Sequence, residues 1–291
     1  MSTATPLPAY ASYKHMLITS PGTFVAHVEI NRPKKLNAFS QEVWLEFGHV
    51  FNQLSNDPDV RAIVVSGAGD RAFTAGLDVQ AASGDGILSD AAGDVAKKAK
   101  VLRNHIEEFQ DSISAMEKCE KQIWAPTAVI CVLHGISIGL AIDIACCADI
   151  RICASTVRFA VKEVDIGMAA DIGTLSRLPK IVGSTSWVKD VCLTARDFSA
   201  QEALSMGFVS QVHENKQVAV QAAMALAATL AEKSPVAVQG TKELLNYSRD
   251  HSVDEGLRYT KVWNAAAVQG RDFAEGLTSG LKKTKPRFEK L

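Results

Sequence analysis

Residues 135–143 read Gly-Ile-Ser-Ile-Gly-Leu-Ala-Ile-Asp and lead from a very apolar predicted strand, residues 127–133, into a predicted helix. Small residues at such a turn let a ligand approach the backbone closely. The first residues of a helix also carry free N–H groups and the positive end of the helix dipole. The stretch therefore predicts either a pocket for an oxygen that gains negative charge or a tight turn that binds nothing.

Another glycine-containing segment, Phe-Thr-Ala-Gly-Leu-Asp at residues 73–78, follows a predicted turn. In chain order it is the first glycine segment, and residues 135–143 are the second. Gly76 offers the same possibility of close backbone approach as the glycines of residues 135–143. Each segment alone is also compatible with a turn that has no ligand. Together they are two candidate halves of one binding site.

Three acidic residues lie in unusually apolar surroundings. Asp143 lies about one turn into the helix after Gly139, and Glu163 and Asp171 flank a largely apolar stretch. Burial raises the pKa of a carboxyl group, and neighbouring carboxylates raise it further, which suits proton transfer at carbon near neutral pH. The alternative is that Asp171 caps a helix beginning near residues 172–174 and that Glu163 is a surface acid.

The order of elements favours an α/β fold, because strands and helices alternate first and helices dominate the end of the chain. A core over residues 1–200 and a C-terminal helical region over residues 201–291 are expected. Predicted strands cover residues 23–30, 60–66, 127–133, 149–154 and 157–161, the last two as a pair, and predicted helices cover 40–55, 99–119, 200–206, 218–234, 236–247 and 253–268. Residues 80–98, rich in Ala, Gly, Ser and Asp, are expected to form a mobile loop beside the site.

Composition excludes several classes of protein. With 31 Lys and Arg against 32 Asp and Glu, the net charge of −1 gives no positive field for nucleic acid or an anionic membrane. No apolar stretch approaches the 18 residues of a membrane span. No phosphate loop or dinucleotide fingerprint is present. The six cysteines fit no zinc site, so we expect no metal and reduced, mostly buried thiols in an intracellular protein.

His134 stands at the end of a predicted strand and could be read as a catalyst. No Ser or Cys nucleophile lies in a recognisable elbow for it to activate. We therefore expect a packed, hydrogen-bonded core histidine.

Several spaced segments resemble the enoyl-CoA hydratase/isomerase (crotonase) superfamily. They are residues 31–39, 72–78, 126–151, 177–183 and 194–196, and the resemblance spans roughly residues 14–275. It implies a spiral of strand–strand–helix units with a C-terminal helical trimerisation region. Residues 158–175, and residues 263–269 in support, resemble the dienoyl-CoA isomerase branch. That branch implies conversion of a 3,5-dienoyl-CoA into a 2,4-dienoyl-CoA in the β-oxidation of unsaturated fatty acids.

The resemblance also implies roles for the three acids. Glu163 would serve C2 of the acyl chain and Asp171 would serve C6, or the reverse, while Asp143 orients or tunes Glu163. The N–H groups of Leu77 and Leu140 would hold the thioester oxygen. Substrate-binding residues would be Ala75, Gly76, Leu77, Asp78, Val79, Leu140 and Ala141, and coenzyme A would contact Lys34, Leu36 and Ala38.

One departure concerns the second glycine segment, where Gly139-Leu140-Ala141 stands in place of the family's usual run of glycines. The N–H of Leu140 is still available, but side chains crowd the pocket. The resemblance further implies an acyl-CoA substrate, no cofactor apart from the coenzyme A of that substrate, and a trimer or paired trimers.

Two other functions stay open. One is a hydratase or another crotonase-type enzyme in which Asp143 and Glu163 activate water. The other is a catalytically silent CoA-binding or assembly protein, against which the presence of all three acids argues. Lys290-Leu291 match the last two residues of the peroxisomal Ser-Lys-Leu signal, but Glu289 replaces its small residue, so a solvated charged tail is the other interpretation. A peroxisomal location is expected on this signal, with the mitochondrion as the alternative. The first twenty residues hold no Arg, which argues against a transit peptide.

Overall fold

The computed structural model describes residues 7–84, 94–119 and 127–290. Within these ranges the strands are β1 (Met16–Gly22), β2 (Val25–Ile30), β3 (Ala62–Gly67), β4 (Ala72–Thr74), β5 (Ala128–Leu133), β6 (Ile136–Ile138), β7 (Ile150–Ala154), β8 (Arg158–Ala160), β9 (Phe198–Ser199) and β10 (Gln211–His213).

The helices in the same ranges are α1 (Gln41–Ser55), α2 (Val79–Gly84), α3 (Val95–Glu117), α4 (Leu140–Cys147), α5 (Thr174–Ile181), α6 (Thr185–Thr194), α7 (Ala200–Ser205), α8 (Lys216–Ala231), α9 (Pro235–Ser248), α10 (Val253–Ala267) and α11 (Arg271–Lys282). None of these helices is long and apolar enough to cross a membrane.

Two sheets organise residues 16–213. The larger has the order β1-β2-β3-β5-β7-β10, and the smaller has the order β4-β6-β8-β9. Strands β2, β3, β5 and β7 run parallel to one another in the larger sheet, as β4, β6 and β8 do in the smaller. The chain passes from β3 to β4 to α2, from β5 to β6 to α4, and from β7 to β8 to α5. This strand–strand–helix unit occurs three times in succession and forms the expected spiral, so the predicted fold is confirmed.

The buried strands form for the reason that their sequence predicts. Every residue of β3 and of β5 is buried, as expected for apolar parallel strands covered on both faces. On one side α1 inserts Trp44, Phe47 and Phe51 into the main core. On the other side α8 presents Ala219, Ala223, Ala227 and Ala231, four small residues at helical spacing that let the helix lie close to the sheet.

The structure corrects the predicted pairing of residues 149–154 with 157–161. Strands β7 and β8 occupy these positions, but β7 lies in the larger sheet and β8 in the smaller. The two residues that connect the predicted strands, Ser155 and Thr156, therefore carry the chain from one sheet to the other. Apolar alternation predicts a strand but not the sheet that it joins.

The predicted loop over residues 80–98 is wrong at both ends. Residues 79–84 are helical, and α3 starts at Val95, where the carboxylate of Asp94 accepts a hydrogen bond of 3.0 Å from the N–H of Lys97. The middle of that loop lies outside the described residues. Strands β1, β4, β6, β9 and β10 were not predicted, and α11 lies in the end of the chain that was expected to be helical without a predicted range.

The C-terminal region contributes to the larger sheet as well as forming helices. Strand β10 pairs with β7, and α8 packs on β3, β5 and β7. The predicted boundary between residues 200 and 201 stays a prediction.

Candidate active site

The two glycine-containing segments meet in the structure. Gly76 and Gly139 both have positive φ angles, 90° and 57°. A Cβ atom on Gly76 would lie 3.1 Å from the carbonyl oxygen of Ile138 and 3.5 Å from the amide nitrogen of Leu140. Only glycine allows the segments to approach this closely in this conformation.

Both predicted N–H donors border this contact. Leu140 is the first residue of α4, so its N–H is one of those that a helix leaves without an internal acceptor. Beside it, the N–H of Phe39 donates to Gly76 at 2.9 Å and the N–H of Asp78 donates to Phe39 at 2.8 Å. In such a parallel bridge the N–H of the intervening residue, Leu77, points away from Phe39.

The loop before α1 holds the first glycine segment in place. Asn37 is buried and its amide donates to the carbonyl groups of Ala68 and Ala72 at 3.0 and 2.9 Å. The hydroxyl of Thr74 donates to Asn37 at 2.8 Å and accepts from the N–H of Gly76 at 3.1 Å. This short network fixes the position from which Leu77 presents its N–H.

The predicted CoA-binding residues lie on that same loop. Lys34 is exposed, while Leu36 and Ala38 are half-buried. The carbonyl of Leu36 accepts from the N–H of Ala75 at 3.0 Å, and the carbonyl of Ala38 accepts from the guanidinium of Arg32. Their contact with coenzyme A stays a prediction.

Glu163 lies beside the second glycine segment, in a short 3₁₀ turn (Glu163–Ile166) after β8. Its Oε1 atom is 3.4 Å from the position of a Cβ on Gly139. Its Oε2 atom is buried and has no hydrogen-bond partner in the described part of the chain. Burial, followed by the nearby charge of Asp143, raises the pKa of Glu163 to about 7.

Asp143 is fully buried on α4 and contacts the start of α5. Its Oδ1 atom accepts the N–H of Thr174 at 2.7 Å and the hydroxyl of Thr174 at 2.8 Å. Burial raises the pKa of Asp143 to about 6, although both hydrogen bonds from Thr174 oppose that rise. The N-cap position of α5 is Gly173 and the first N–H of the helix is bonded to Asp143, so the alternative in which Asp171 caps this helix is wrong.

Asp171 is half-buried in the loop that leads into α5. Burial raises the pKa of Asp171, although a hydrogen bond from its own main-chain N–H and the neighbouring His105 oppose that rise. The side-chain amide of Gln110 on α3 donates to the main-chain carbonyl of Asp171.

All three acids line one cavity of about 150 Å³. Ala75, Gly76, Leu77, Val79 and Leu140 line it too, and their contact with a substrate stays a prediction. Asp78 instead forms an ion pair with Arg32 at 3.3 Å, and Ala141 is packed in the core. Sequence reasoning missed six further lining residues, most of them apolar: Phe109, Ile138, Lys162, Ile166, Met168 and Ile172. The apolar stripe on α3 and the apolar stretch after Glu163 were the available signals.

The remaining candidates behave as packed side chains. His134 is buried, and its Nε2 atom lies 3.0 Å from the carbonyl oxygen of Gly69. All six cysteines are buried and free. Across the described ranges no three His, Cys, Asp or Glu side chains are placed to hold a metal ion.

Comparison with known proteins extends these observations. The sequence model described as "Enoyl-CoA hydratase/isomerase" matches residues 22–290. The chain belongs to the enoyl-CoA hydratase/isomerase family. The family predicted from the sequence is therefore confirmed.

Curated relatives of this family member include two dienoyl-CoA isomerases. "Delta(3,5)-Delta(2,4)-dienoyl-CoA isomerase, mitochondrial" of Pongo abelii is 46% identical over 271 residues, which are 93% of this chain and 80% of the relative. "Delta(3,5)-Delta(2,4)-dienoyl-CoA isomerase, peroxisomal" of Arabidopsis thaliana is 39% identical and covers 96% of this chain and 99% of the relative. "Short-chain-enoyl-CoA hydratase" of Clostridium acetobutylicum is 29% identical over 90% of this chain and 92% of the relative.

Solved structures agree on the fold. A putative enoyl-CoA hydratase from Streptomyces coelicolor A3(2) has a TM-score of 0.84 at 27% identity, over 100% of this chain and 98% of that one. The enoyl-CoA hydratase from Bacillus anthracis has a TM-score of 0.83 at 22% identity, over 96% of this chain and 100% of that one.

Proposed function

We propose that this enzyme is an isomerase that converts a 3,5-dienoyl-CoA into a 2,4-dienoyl-CoA during the β-oxidation of unsaturated fatty acids. The observation that carries the proposal is that Glu163 and Asp171 line one cavity beside the two glycine segments. Relatives at 39–46% identity that bear the name dienoyl-CoA isomerase support the substrate class.

The reaction moves one proton off carbon and another onto carbon. A carboxylate takes a proton from C2, and the electrons of that C–H bond pass through C1 to the thioester oxygen. The N–H groups of Leu77 and Leu140 stabilise the negative charge that develops there. A proton from a carboxylic acid then reaches C6, the electrons return along the chain, and the double bonds settle at C2 and C4.

Geometry supports Glu163 as the base at C2. Its Oε1 atom lies near Gly139, next to the N–H of Leu140 that would hold the thioester oxygen. The carbon adjacent to the thioester is therefore the carbon within its reach. Asp171, next to the apolar side chains of Phe109, Met168 and Ile172 in the cavity wall, then serves C6.

Asp143 has a supporting role in this proposal. Its charge raises the pKa of Glu163, and its Oδ1 atom is occupied by Thr174. It therefore tunes the base and fixes the start of α5 without touching the reacting carbons.

One observation favours hydration as a second candidate function. The Oε2 atom of Glu163 has no partner among the described residues and could hold a water molecule for attack on a 2-enoyl-CoA. A CoA-binding protein without catalysis is the third possibility, and the raised pKa values of Glu163 and Asp143 argue against it.

The deciding assay follows absorbance of the conjugated 2,4-dienoyl thioester from a 3,5-dienoyl-CoA, with hydration of a 2-enoyl-CoA measured in parallel. We expect isomerisation to be the faster reaction. Asp171→Asn should lose most of it, and full activity of that variant would exclude the two-acid mechanism.

Exchange of the C2 hydrogens of the substrate with deuterated water shows which of the two acids, Glu163 or Asp171, acts at C2. Asp171→Asn should keep C2 exchange while Glu163→Gln loses it. The opposite result would assign Asp171 to C2 and Glu163 to C6. Much faster hydration than isomerisation in the unaltered enzyme would favour the hydratase.

Self-association as a trimer or as paired trimers is part of the same proposal. Large apolar side chains are exposed on the last two helices: Val253, Leu257 and Val262 on α10, and Phe273, Leu277 and Leu281 on α11. Such side chains favour an interface. Sedimentation equilibrium should give a multiple of the 31.2 kDa chain.

Substrate and compartment complete the proposal. Lys34, Leu36 and Ala38 contact the coenzyme A part of the substrate, and the reaction needs no other cofactor. The named relatives include peroxisomal and mitochondrial enzymes, which supports one of these two organelles. Co-localisation of the untagged protein with markers of each organelle, by antibody, distinguishes them.

A further inference from the structure

The loop that carries Asp171 has an exposed middle and a firmly held end. Ile166 and Met168 are 60% and 39% exposed, whereas Ile172 is 8% exposed. A carboxylic acid that protonates one particular carbon must be held close to a productive position. The groups that fix residues 171–174 therefore decide how well Asp171 can work.

Three side chains, each from a different helix, form hydrogen bonds with main-chain groups of residues 171–174. Gln110 on α3 donates its side-chain amide to the carbonyl of Asp171. Arg177 on α5 reaches the carbonyl of Ile172 at 3.4 Å. Asp143 on α4 accepts the N–H of Thr174 at 2.7 Å.

Of the three, Gln110 is the side chain that bonds Asp171 itself. Gln110 is half-buried. The residue before it, Phe109, lines the cavity that contains the three acids and stacks on Trp44, with 4.8 Å between ring centroids. The packing of Phe109 fixes this turn of α3. The amide of Gln110 therefore extends from an anchored part of the helix.

We propose that Gln110 is a positioning residue for the C6 end of the reaction: its hydrogen bond to the carbonyl of Asp171 holds that acid in reach of C6. Glu163 follows β8 and borders Gly139, so its position does not depend on this bond. Loss of the bond should therefore impair protonation at C6 and leave proton removal at C2 intact. The inference rests on the proposed isomerisation with Glu163 at C2.

The test replaces Gln110 by methionine, which has a similar length and no N–H donor. In deuterated water, C2 exchange of a 3,5-dienoyl-CoA and formation of the 2,4-dienoyl product are measured on the same sample. Gln110→Met should lower product formation on the order of 10- to 100-fold, with KM little changed and C2 exchange within about twofold of the unaltered enzyme. The intermediate then returns to substrate because its C6 proton arrives late.

Gln53→Met is the matched control, because Gln53 also donates its amide to a main-chain carbonyl, that of Ala9 at 3.1 Å, away from the cavity. It should leave both rates unchanged. Gln110→Asn keeps the amide but shortens its reach, and it should fall between the unaltered enzyme and Gln110→Met. This milder variant decides the matter if the methionine variant does not fold.

Two outcomes would overturn the inference. Product formation at the unaltered rate in both Gln110 variants would remove any role for the bond. An equal loss of exchange and product formation would mean either that Gln110 supports the whole site or that Asp171 serves C2, since removal of the C2 proton precedes product formation. Failure of the unaltered enzyme to isomerise would instead reject the proposed function, so the two failures are distinguishable.

Discussion

The carboxylate of Asp143 and the amide of Thr174 are joined by a hydrogen bond of 2.7 Å across 31 residues of sequence. The hydroxyl of Thr174 adds a second bond of 2.8 Å to the same oxygen. Asp143, one of the three acids singled out in the sequence, thus satisfies the first N–H of α5, whose N-cap position is Gly173. It links the helix that offers the N–H of Leu140 to the helix that comes after Asp171.

Replacing Asp143 separates its capping function from its charge. Asp143→Asn keeps an oxygen that can accept from Thr174, so the free energy of unfolding should change little. Asp143→Ala removes the cap and leaves the N–H and hydroxyl of Thr174 without this acceptor, which should cost about 1–3 kcal/mol. Urea denaturation of both variants gives these values, and equal stability of the two would contradict the capping function.

The pH dependence of kcat/KM should report the pair Glu163 and Asp171. Isomerisation needs one ionised and one protonated carboxyl, so the profile should be a bell. Burial, and after it the charge of Asp143, raise the pKa of Glu163 to about 7, which places one limb near pH 7.

Asp143→Asn should shift that limb to lower pH, since removing a neighbouring negative charge makes Glu163 easier to ionise. Asp111→Asn, an exposed acid on α3 in an ion pair with Lys118, is the control and should leave the profile unchanged. A limb that stays in place in Asp143→Asn would show that the charge of Asp143 does not act on Glu163.

Much of the site could be predicted because its chemistry is local in sequence. Gly76 and Gly139 are glycines at positive φ, and a glycine next to an apolar strand signals that conformation. Glu163 and Asp171 stood out as acids in an apolar stretch. Residue type and immediate sequence neighbours are therefore enough to single out these four residues.

Contacts that depend on the path of the chain could not be predicted. The partner of Asp143 is Thr174, and Phe109 reaches the cavity from a helix whose periodicity shows only which face is apolar. The placement of β7 in the larger sheet and β8 in the smaller sheet could not be predicted either, because both strands have the same sequence pattern. Periodicity predicts the buried face of an element and does not specify what covers it.

Gly139 should be intolerant of even one added methyl group. Its φ of 57° is strained for alanine, and the new Cβ would lie 3.4 Å from Oε1 of Glu163. Gly139→Ala should displace the N–H of Leu140 and lower kcat on the order of 10²- to 10³-fold, the effect of losing one oxyanion donor. Gly183→Ala has no neighbour within 4 Å and should retain full activity in the same assay. A Gly139→Ala enzyme with normal kcat would be inconsistent with an oxyanion site at Leu140.

The ion-pair network behind Asp171 should make stability depend on pH. Glu117 lies between Arg177, at 2.7 Å, and Arg249, at 2.6 Å. Burial opposes ionisation of Glu117, but the two arginines outweigh it and hold its pKa below the ordinary 4.5. Because the folded pKa is depressed, the stabilisation is fully present above pH 4.5 and is lost as pH falls through the lower folded value.

Glu117→Gln should therefore lower the free energy of unfolding by about 1.5–3 kcal/mol at pH 7, and the difference from the unaltered protein should shrink as pH falls below the ordinary glutamate range. Asp254→Asn is the control. It breaks an exposed ion pair between Asp254 and Arg258, whose side chains are 73% and 72% exposed respectively, and it should change the free energy of unfolding little at either pH. Urea denaturation at pH 7 and again below the ordinary glutamate range gives the free energy of unfolding of the unaltered protein, Glu117→Gln and Asp254→Asn. A Glu117→Gln deficit that stays constant down to acidic pH would mean that the charge of Glu117 contributes nothing and that only its packing matters.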